Sequence, residues 1–257
     1  MKIKPNGFIG QLQHRWMLAR WLRAARAAKT AELAVLRAQR QQARQLRHPL
    51  QELSHIADTR LALPRVGSTT FARPPGTDWS WRPQLWRGAD PKGGLAPARN
   101  KLMLGQELTV FHDCPFDEIS LRQVRNKLDH DLAAFGLVLE VLRFQGGFVS
   151  LVLNVPDAIC QGLRKQHLIR LSVVLDREHA VNVRARLNVK HGPNTEQVLL
   201  GLDDFAKEAD LEFDLAYSDL NENRAEKMWI DLIFEDPGMN RITIRDLNLC
   251  RYPRAEV

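Results

Sequence analysis

From Glu107 onward, apolar residues come in short runs separated by turn-forming residues, and two of the runs alternate cleanly. Val181, Val183, Ala185, Leu187 and Val189 share one face of an extended segment, and Leu211, Phe213, Leu215 and Tyr217 share one face of another. Further runs lie at 108–112, 137–144, 147–155, 168–176, 195–200, 227–235 and 241–251. Gly146-Gly147 reads as a hairpin signal and Gly192-Pro193-Asn194 as a turn, while residues 116–130 read as a small helical excursion. Nine short strands without repeated βα units predict a mainly β fold, an antiparallel jelly-roll-like β-sandwich.

The preceding residues follow other patterns. Residues 8–59 are rich in Ala, Leu, Arg and Gln, and Gly and Pro are absent from 11–48, which predicts one long helix. Pro49 then kinks it or opens a second short helix. Leu36, Ala43, Leu50 and Ala57 recur every seven residues, with Leu46 and Leu53 between them, in a narrow stripe opposed by Arg and Gln. Residues 61–105 hold Trp79, Trp81 and Trp86 among prolines and glycines, so they are neither a regular helix nor apolar-poor enough for a free linker. The organisation expected is an α-helical arm at 1–60, a segment at 61–105 wrapping the main domain with indoles pressed into it, and the sandwich at 106–257.

Charge sharpens that division. The arm carries 12 Lys or Arg against three acids, a net of +9, and the remainder carries 25 against 27, a net of −2. The basic character therefore belongs to the arm, which argues against a nucleic-acid interface spread over the whole protein. Arg15, Arg20, Arg23, Arg26 and Lys29, with Trp16 and Trp21 among them, suit an anionic membrane surface or nucleic acid; an arginine-rich helix that only keeps the chain soluble would look the same. Cys114, Cys160 and Cys250 form no C-x-x-C pair and read as reduced thiols, neither a disulfide frame nor a metal site. No continuous apolar run follows the charged start, so the expected location is cytoplasmic, or peripheral to a membrane through the arm.

Several stretches carry a resemblance. Phe111-His112-Asp113-Cys114, Leu121-Arg122-Gln123-Val124-Arg125-Asn126, the stretch from Ala185 to Gln197, Phe213-Asp214-Leu215-Ala216-Tyr217, the stretch from Met228 to Glu235 and the closing Pro253-Arg254-Ala255-Glu256 are similar to a bacterial family of uncharacterised proteins, over residues 60–257. That resemblance implies no activity, cofactor or site residue. The closing pattern, strand 229–234, turn Pro237-Gly238 and strand 241–249, more loosely resembles galactose-binding-like and carbohydrate-binding jelly-roll domains. It implies a fold class more than a ligand.

Alternation places Asn182, Arg184, Arg186, Asn188 and Lys190 opposite the apolar residues of their strand, and Arg170 and Ser172 likewise in strand 168–175. If these strands are neighbours they form a donor-rich face for sugar hydroxyls, carboxylates or phosphates. Trp229 and Asp231 lie opposite Met228, Ile230 and Leu232, which adds an indole and a carboxylate. Arg–carboxylate ladders across a solvated sheet surface explain the same residues, since Glu212 and Asp214 also point outward. His191 and Asn194 flank the Gly-Pro turn, where loops often bind ligands, although a hairpin needs that turn in any case. His112 and Cys114 stand two apart, but the sequence assigns them no orienting carboxylate, and the reading is structural. No Gly-rich phosphate loop and no calcium-ligand run is present. The chain is thus expected to be a non-catalytic binding or scaffolding protein, without cofactor, whose sandwich recognises a glycan or protein partner. The alternative is an adaptor that acts on membrane or nucleic acid through residues 1–60. A glycoside-processing enzyme is the third reading.

Overall fold

The computed structural model of the protein describes residues 8–61, 70–116, 118–128, 130–203 and 206–254. The chain divides into two compact units, residues 1–57 and 58–257.

The first unit holds α1 (Phe8–Ala27) and most of α2 (Leu33–Leu61). The sequence favours a single helix here, and the structure corrects this: the chain turns at residues 28–32. Thr30 supplies the local reason, since its hydroxyl donates to the Ala27 carbonyl at 3.4 Å while the N–H groups of Thr30 and Ala31 close on the same oxygen. Such side-chain bonding competes with helix propagation. Arg20 Nη2 donates to Gln42 Oε1 at 3.2 Å, joining α1 to α2. Pro49 lies inside α2, which runs on through it. Among the described residues no helix is long and apolar enough to cross a membrane.

The second unit is a jelly-roll-like β-sandwich. Its strands are β1 (Trp79–Trp81), β2 (Gly94–Leu95), β3 (Met103–Leu104), β4 (Leu108–His112), β5 (Ile119–Arg125), β6 (Phe135–Val141), β7 (Phe148–Asn154), β8 (His167–Arg177), β9 (Asn182–His191), β10 (Asn194–Gly201), β11 (Glu208–Asp214), β12 (Ala225–Glu235) and β13 (Asn240–Pro253); a short α3 (Gln84–Arg87) follows β1. One sheet runs β11-β8-β13-β6-β5-β2, with β1 added to β13, and the other runs β10-β9-β12-β7-β4-β3, every pairing antiparallel. We call them the first and second sheets.

A core of buried residues is shared by both sheets, Ile169, Leu171, Phe213, Ile242 and Ile244 from the first and Leu151, Leu187, Ile230, Leu232 and Phe234 from the second. Each such side chain contributes about 1.5–3 kcal/mol by leaving water. The inward set is the period-2 set in each strand, so the opposite set is turned outward.

Two local expectations are corrected. Residues 119–125, expected in a helical excursion, form β5: Ile119 and Leu121 are buried while Ser120 and Arg122 alternate with them and meet Glu140 of β6. Gly146-Gly147 does not close a hairpin, because β6 and β7 belong to different sheets and the doublet carries the chain between them. The β9–β10 hairpin does form at Gly192-Pro193, with Gly192 at φ +62° in the first loop position, where a primed turn takes glycine.

Residues 70–95 are fastened to the first sheet. Trp86 is fully buried and its indole N–H donates to the Ile244 carbonyl at 3.1 Å. Arg82 grips Asp246 with two bonds, Nε to Oδ1 at 2.9 Å and Nη2 to Oδ2 at 2.7 Å, both side chains buried. Burial pushes the Asp246 carboxyl up despite Arg82 beside it. Arg251 holds Asp78 the same way, at 2.9 and 2.8 Å. Removing one partner of a buried pair strands the other charge. Asp246→Ala is therefore expected to cost about 3–5 kcal/mol in urea unfolding, whereas Arg82→Met combined with Asp246→Leu recovers most of that loss. Equal losses in both variants would show that the pair's charge is not what matters.

Candidate functional site

The outward set of the second sheet forms regular cross-strand rows. Pairing of β9 with β12, and of β12 with β7, sets Asn182, Glu235 and Phe148 in one row and Arg184, Ile233 and Ser150 in the next. The following rows are Arg186, Asp231 and Val152, then Asn188, Trp229 and Asn154. β4 adds Phe111 beside Ser150 and Thr109 beside Val152. Five of the residues singled out from sequence, Arg184, Arg186, Asn188, Trp229 and Asp231, thus share one continuous surface on two adjacent strands.

The centre of that surface is a polar knot. Arg186 donates from Nε and Nη2 to Asp231 Oδ2 at 2.8 and 2.6 Å, and Asn188 Nδ2 reaches the same oxygen at 3.2 Å. Asp231 is only 2% exposed and Asn188 only 1%, although both are on the outer face. Three donors converge on one carboxylate oxygen, and the other, Oδ1, is buried without a hydrogen-bond partner. Asn188 Oδ1 and Ser150 Oγ are buried and unpartnered in the same way. Leaving a buried polar group without a partner costs about 1–3 kcal/mol each.

Charge on the face is balanced internally. Arg186 pairs with Asp231, Arg184 Nε lies 3.0 Å from Glu235 Oε1, and Lys190 lies 3.0 Å from Glu226. Arg184, Arg186 and Lys190 of β9 are each paired with a carboxylate of β12. Trp229 and Ile233 are half-buried and supply the apolar part. A cavity of about 420 Å³ opens at one end, lined by Phe148, Ser150, Arg186, Ile233, Glu235 and the Gly147 backbone. That is within the size range of small-ligand sites.

One wall of the cavity is set by Asp113. Its carboxylate accepts from the Gly147 N–H at 3.0 and 2.8 Å and from the Phe148 N–H at 3.2 Å. These N–H groups hold the Asp113 carboxyl below the ordinary carboxylate range. Sequence reasoning missed Asp113 in this role, and missed Ser150, Val152 and Asn154. Their strand reads as nearly continuous apolar residues, and only its pairing with β12 brings it to the site.

The other candidates lie elsewhere. Arg170 is in β8 of the first sheet, not beside β9, because the chain changes sheet between the two strands. There it bonds Glu212 at 3.1 and 2.6 Å, with Asp210 at 3.5 Å. Tyr252 donates to the same Glu212, and its phenol is pushed up to about 12 by burial and by that bond. His191 is buried at the end of β9, with Nδ1 accepting from the Asn221 N–H at 3.3 Å, and Asn194 is exposed at the start of β10; both belong to the hairpin end. His112 points into the core and Cys114 is buried, its Sγ accepting from the Gln145 N–H at 3.4 Å, so neither faces solvent as a nucleophile. Among the described residues no three His, Cys, Asp or Glu side chains are grouped to hold a metal ion. Arg15, Arg20, Arg23, Arg26 and Lys29 are all exposed in the first unit.

A depressed folded-state pKa makes Asp113's contribution full above the unfolded value and lost as pH falls through the folded one. The stability gap between the native chain and Asp113→Ala is therefore expected to be largest near neutrality and to close in acid. Thermal unfolding followed between pH 7 and pH 2 measures it, and a gap that is independent of pH would contradict the assignment.

Comparison with known proteins adds the following. No curated protein matches the chain. A family 11 carbohydrate-binding module from Clostridium thermocellum, solved in complex with a β-1,3-1,4-mixed-linked tetrasaccharide, superposes at a TM-score of 0.39 and 12% identity, over 62% of this chain and 96% of the module. TmCBM61, in complex with β-1,4-galactotriose, gives 0.36 and 14%, over 61% and 99%. The enzymatically active domain of bacteriophage CBA120 tailspike protein 4 gives 0.40 and 10%, over 60% of this chain but 22% of its own length. At this degree of overlap they carry no ligand and no site residue across. The family model described as a family of unknown function, DUF6478, matches residues 1–257, so the likeness seen over 60–257 extends through the helical arm. The chain belongs to the DUF6478 family.

Proposed function

We propose that the outer face of the second sheet binds a neutral glycan, and that the protein acts by binding rather than by catalysis. The observation that carries this reading is the half-buried Trp229 set among the polar side chains of Arg186, Asp231, Asn188 and Ser150 on three adjacent strands, where Asp231 Oδ1, Asn188 Oδ1 and Ser150 Oγ lack hydrogen-bond partners. A sugar offers what such a face lacks: several hydroxyl donors in a rigid array, and an apolar ring face for an indole.

Charge argues for neutrality of the ligand. A phosphate or carboxylate would meet arginines already committed to Asp231 and Glu235, and would lie close to the bare Asp231 oxygen. The same pairing argues against glycoside cleavage. That chemistry needs two carboxyl groups free to exchange protons or to attack the sugar, whereas Asp231 and Glu235 are held by arginines and leave Asp236 alone among the carboxylates lining the cavity.

Full-length protein on a glycan array is expected to bind one class of neutral oligosaccharide. Trp229→Ala is expected to lower the affinity by about tenfold or more, as removal of a central aromatic anchor does, while the melting temperature stays close to native. Binding unchanged by Trp229→Ala, or restricted to sulfated and phosphorylated glycans, would overturn the reading. Release of reducing sugar from the bound class would refute the non-catalytic part alone.

A further inference from the structure

The helical arm presents a second surface, independent of the sandwich. At about 100° per residue, Leu12, Arg15, Trp16, Leu22, Arg23 and Arg26 fall within about 120° of the circumference of α1, and all six are exposed. Trp16 is 72% exposed. The half-buried positions, Trp21 and Ala24, lie on the opposite side. No acidic residue occurs between Gln11 and Ala31. In α2, Arg37, Arg40, Arg44 and Arg47 are spaced three, four and three apart, a single stripe of like charge. Arg37, Arg40 and Arg44 pair with no carboxylate among the described residues. Such a stripe weakens an isolated helix unless something anionic lies against it.

We infer that α1 docks through this face on an anionic lipid bilayer. Interleaved Leu, Trp and Arg suit the bilayer interface: indole and leucine enter the acyl boundary while the arginines extend to the headgroups. Nucleic acid would use the arginines and the indole but leave Leu12 and Leu22 in water. A second copy of the chain would set the arginine stripes against one another. The lipid surface alone takes the whole face, its charge complementing the cations through electrostatic attraction.

The test is co-sedimentation of the full-length protein with vesicles of phosphatidylcholine alone and of phosphatidylcholine containing phosphatidylglycerol. Binding is expected only to the anionic vesicles and is expected to weaken with added salt. The triple variant Arg15→Gln, Arg23→Gln, Arg26→Gln is expected to lower partitioning by roughly a hundredfold, about fivefold for each charge. As a check that does not depend on the triple variant folding, brominated acyl chains should quench part of the native tryptophan emission, and Trp16→Phe should remove that part. Failure to sediment with anionic vesicles, equal sedimentation with neutral ones, or quenching unchanged in Trp16→Phe would overturn the inference. So would capture of a nucleic-acid probe, or concentration-dependent dimerisation, by a protein that ignores the vesicles.

Discussion

The register of β9 against β12 is the constraint on which the candidate surface depends. It sets Arg186 opposite Asp231 and Arg184 opposite Ile233, one pleat from Glu235. A slip by one residue would exchange the two faces, sending Leu187, Ile230 and Leu232 to solvent and the charged residues into the core. The core therefore constrains the site: burial of the apolar side chains that the two sheets share fixes which face each residue takes, and the observed register within that phase assembles the polar knot. The ion pairs of the face add little stability where they are exposed. Their effect is to neutralise the arginines and to orient Asp231 so that one oxygen is saturated and the other bare.

The two outer faces are treated differently by the chain. On the first sheet, Asp246, Asn248 and Cys250 alternate outward along β13 yet are buried. Arg82 is drawn in there by Asp246, stacks its guanidinium 4.9 Å from the Phe71 ring centroid, and brings the 70–90 segment with it. Gln123 fastens the following turn, donating to the carbonyls of Leu85 and Gly88 at 2.6 and 2.8 Å. The second sheet has rows of polar and half-buried aromatic side chains instead. That asymmetry gives the sandwich a fastened side and a side that carries the candidate surface.

Period-2 alternation made most of this legible in the sequence. The inward set of β9 and the outward position of Trp229 and Asp231 follow from pleat geometry alone, which is why five candidates fall on one surface. What alternation does not carry is which strands are neighbours. Arg170 has the right phase but the wrong sheet, and Ser150 the right place but a strand that looks wholly apolar. The stretch around Ile119 has only two deeply buried positions, too few to distinguish a strand from a helical turn. In the arm, helix propensity could not show the break at Thr30, because a side-chain hydrogen bond decides it. The buried acceptors were beyond reach for another reason: that Asp231 keeps one oxygen bare emerges only when three donors are seen to share the other.

The central claim is that the polar face around Trp229 binds a neutral sugar. Titration of the isotopically labelled protein with neutral oligosaccharides, followed by amide and indole resonances, tests it most directly. The account predicts that shifts concentrate on Trp229, Asp231, Asn188, Arg186 and Ser150, with the Trp229 indole among the largest. Shifts confined to the His191–Asn194 hairpin end or to the first sheet would contradict it.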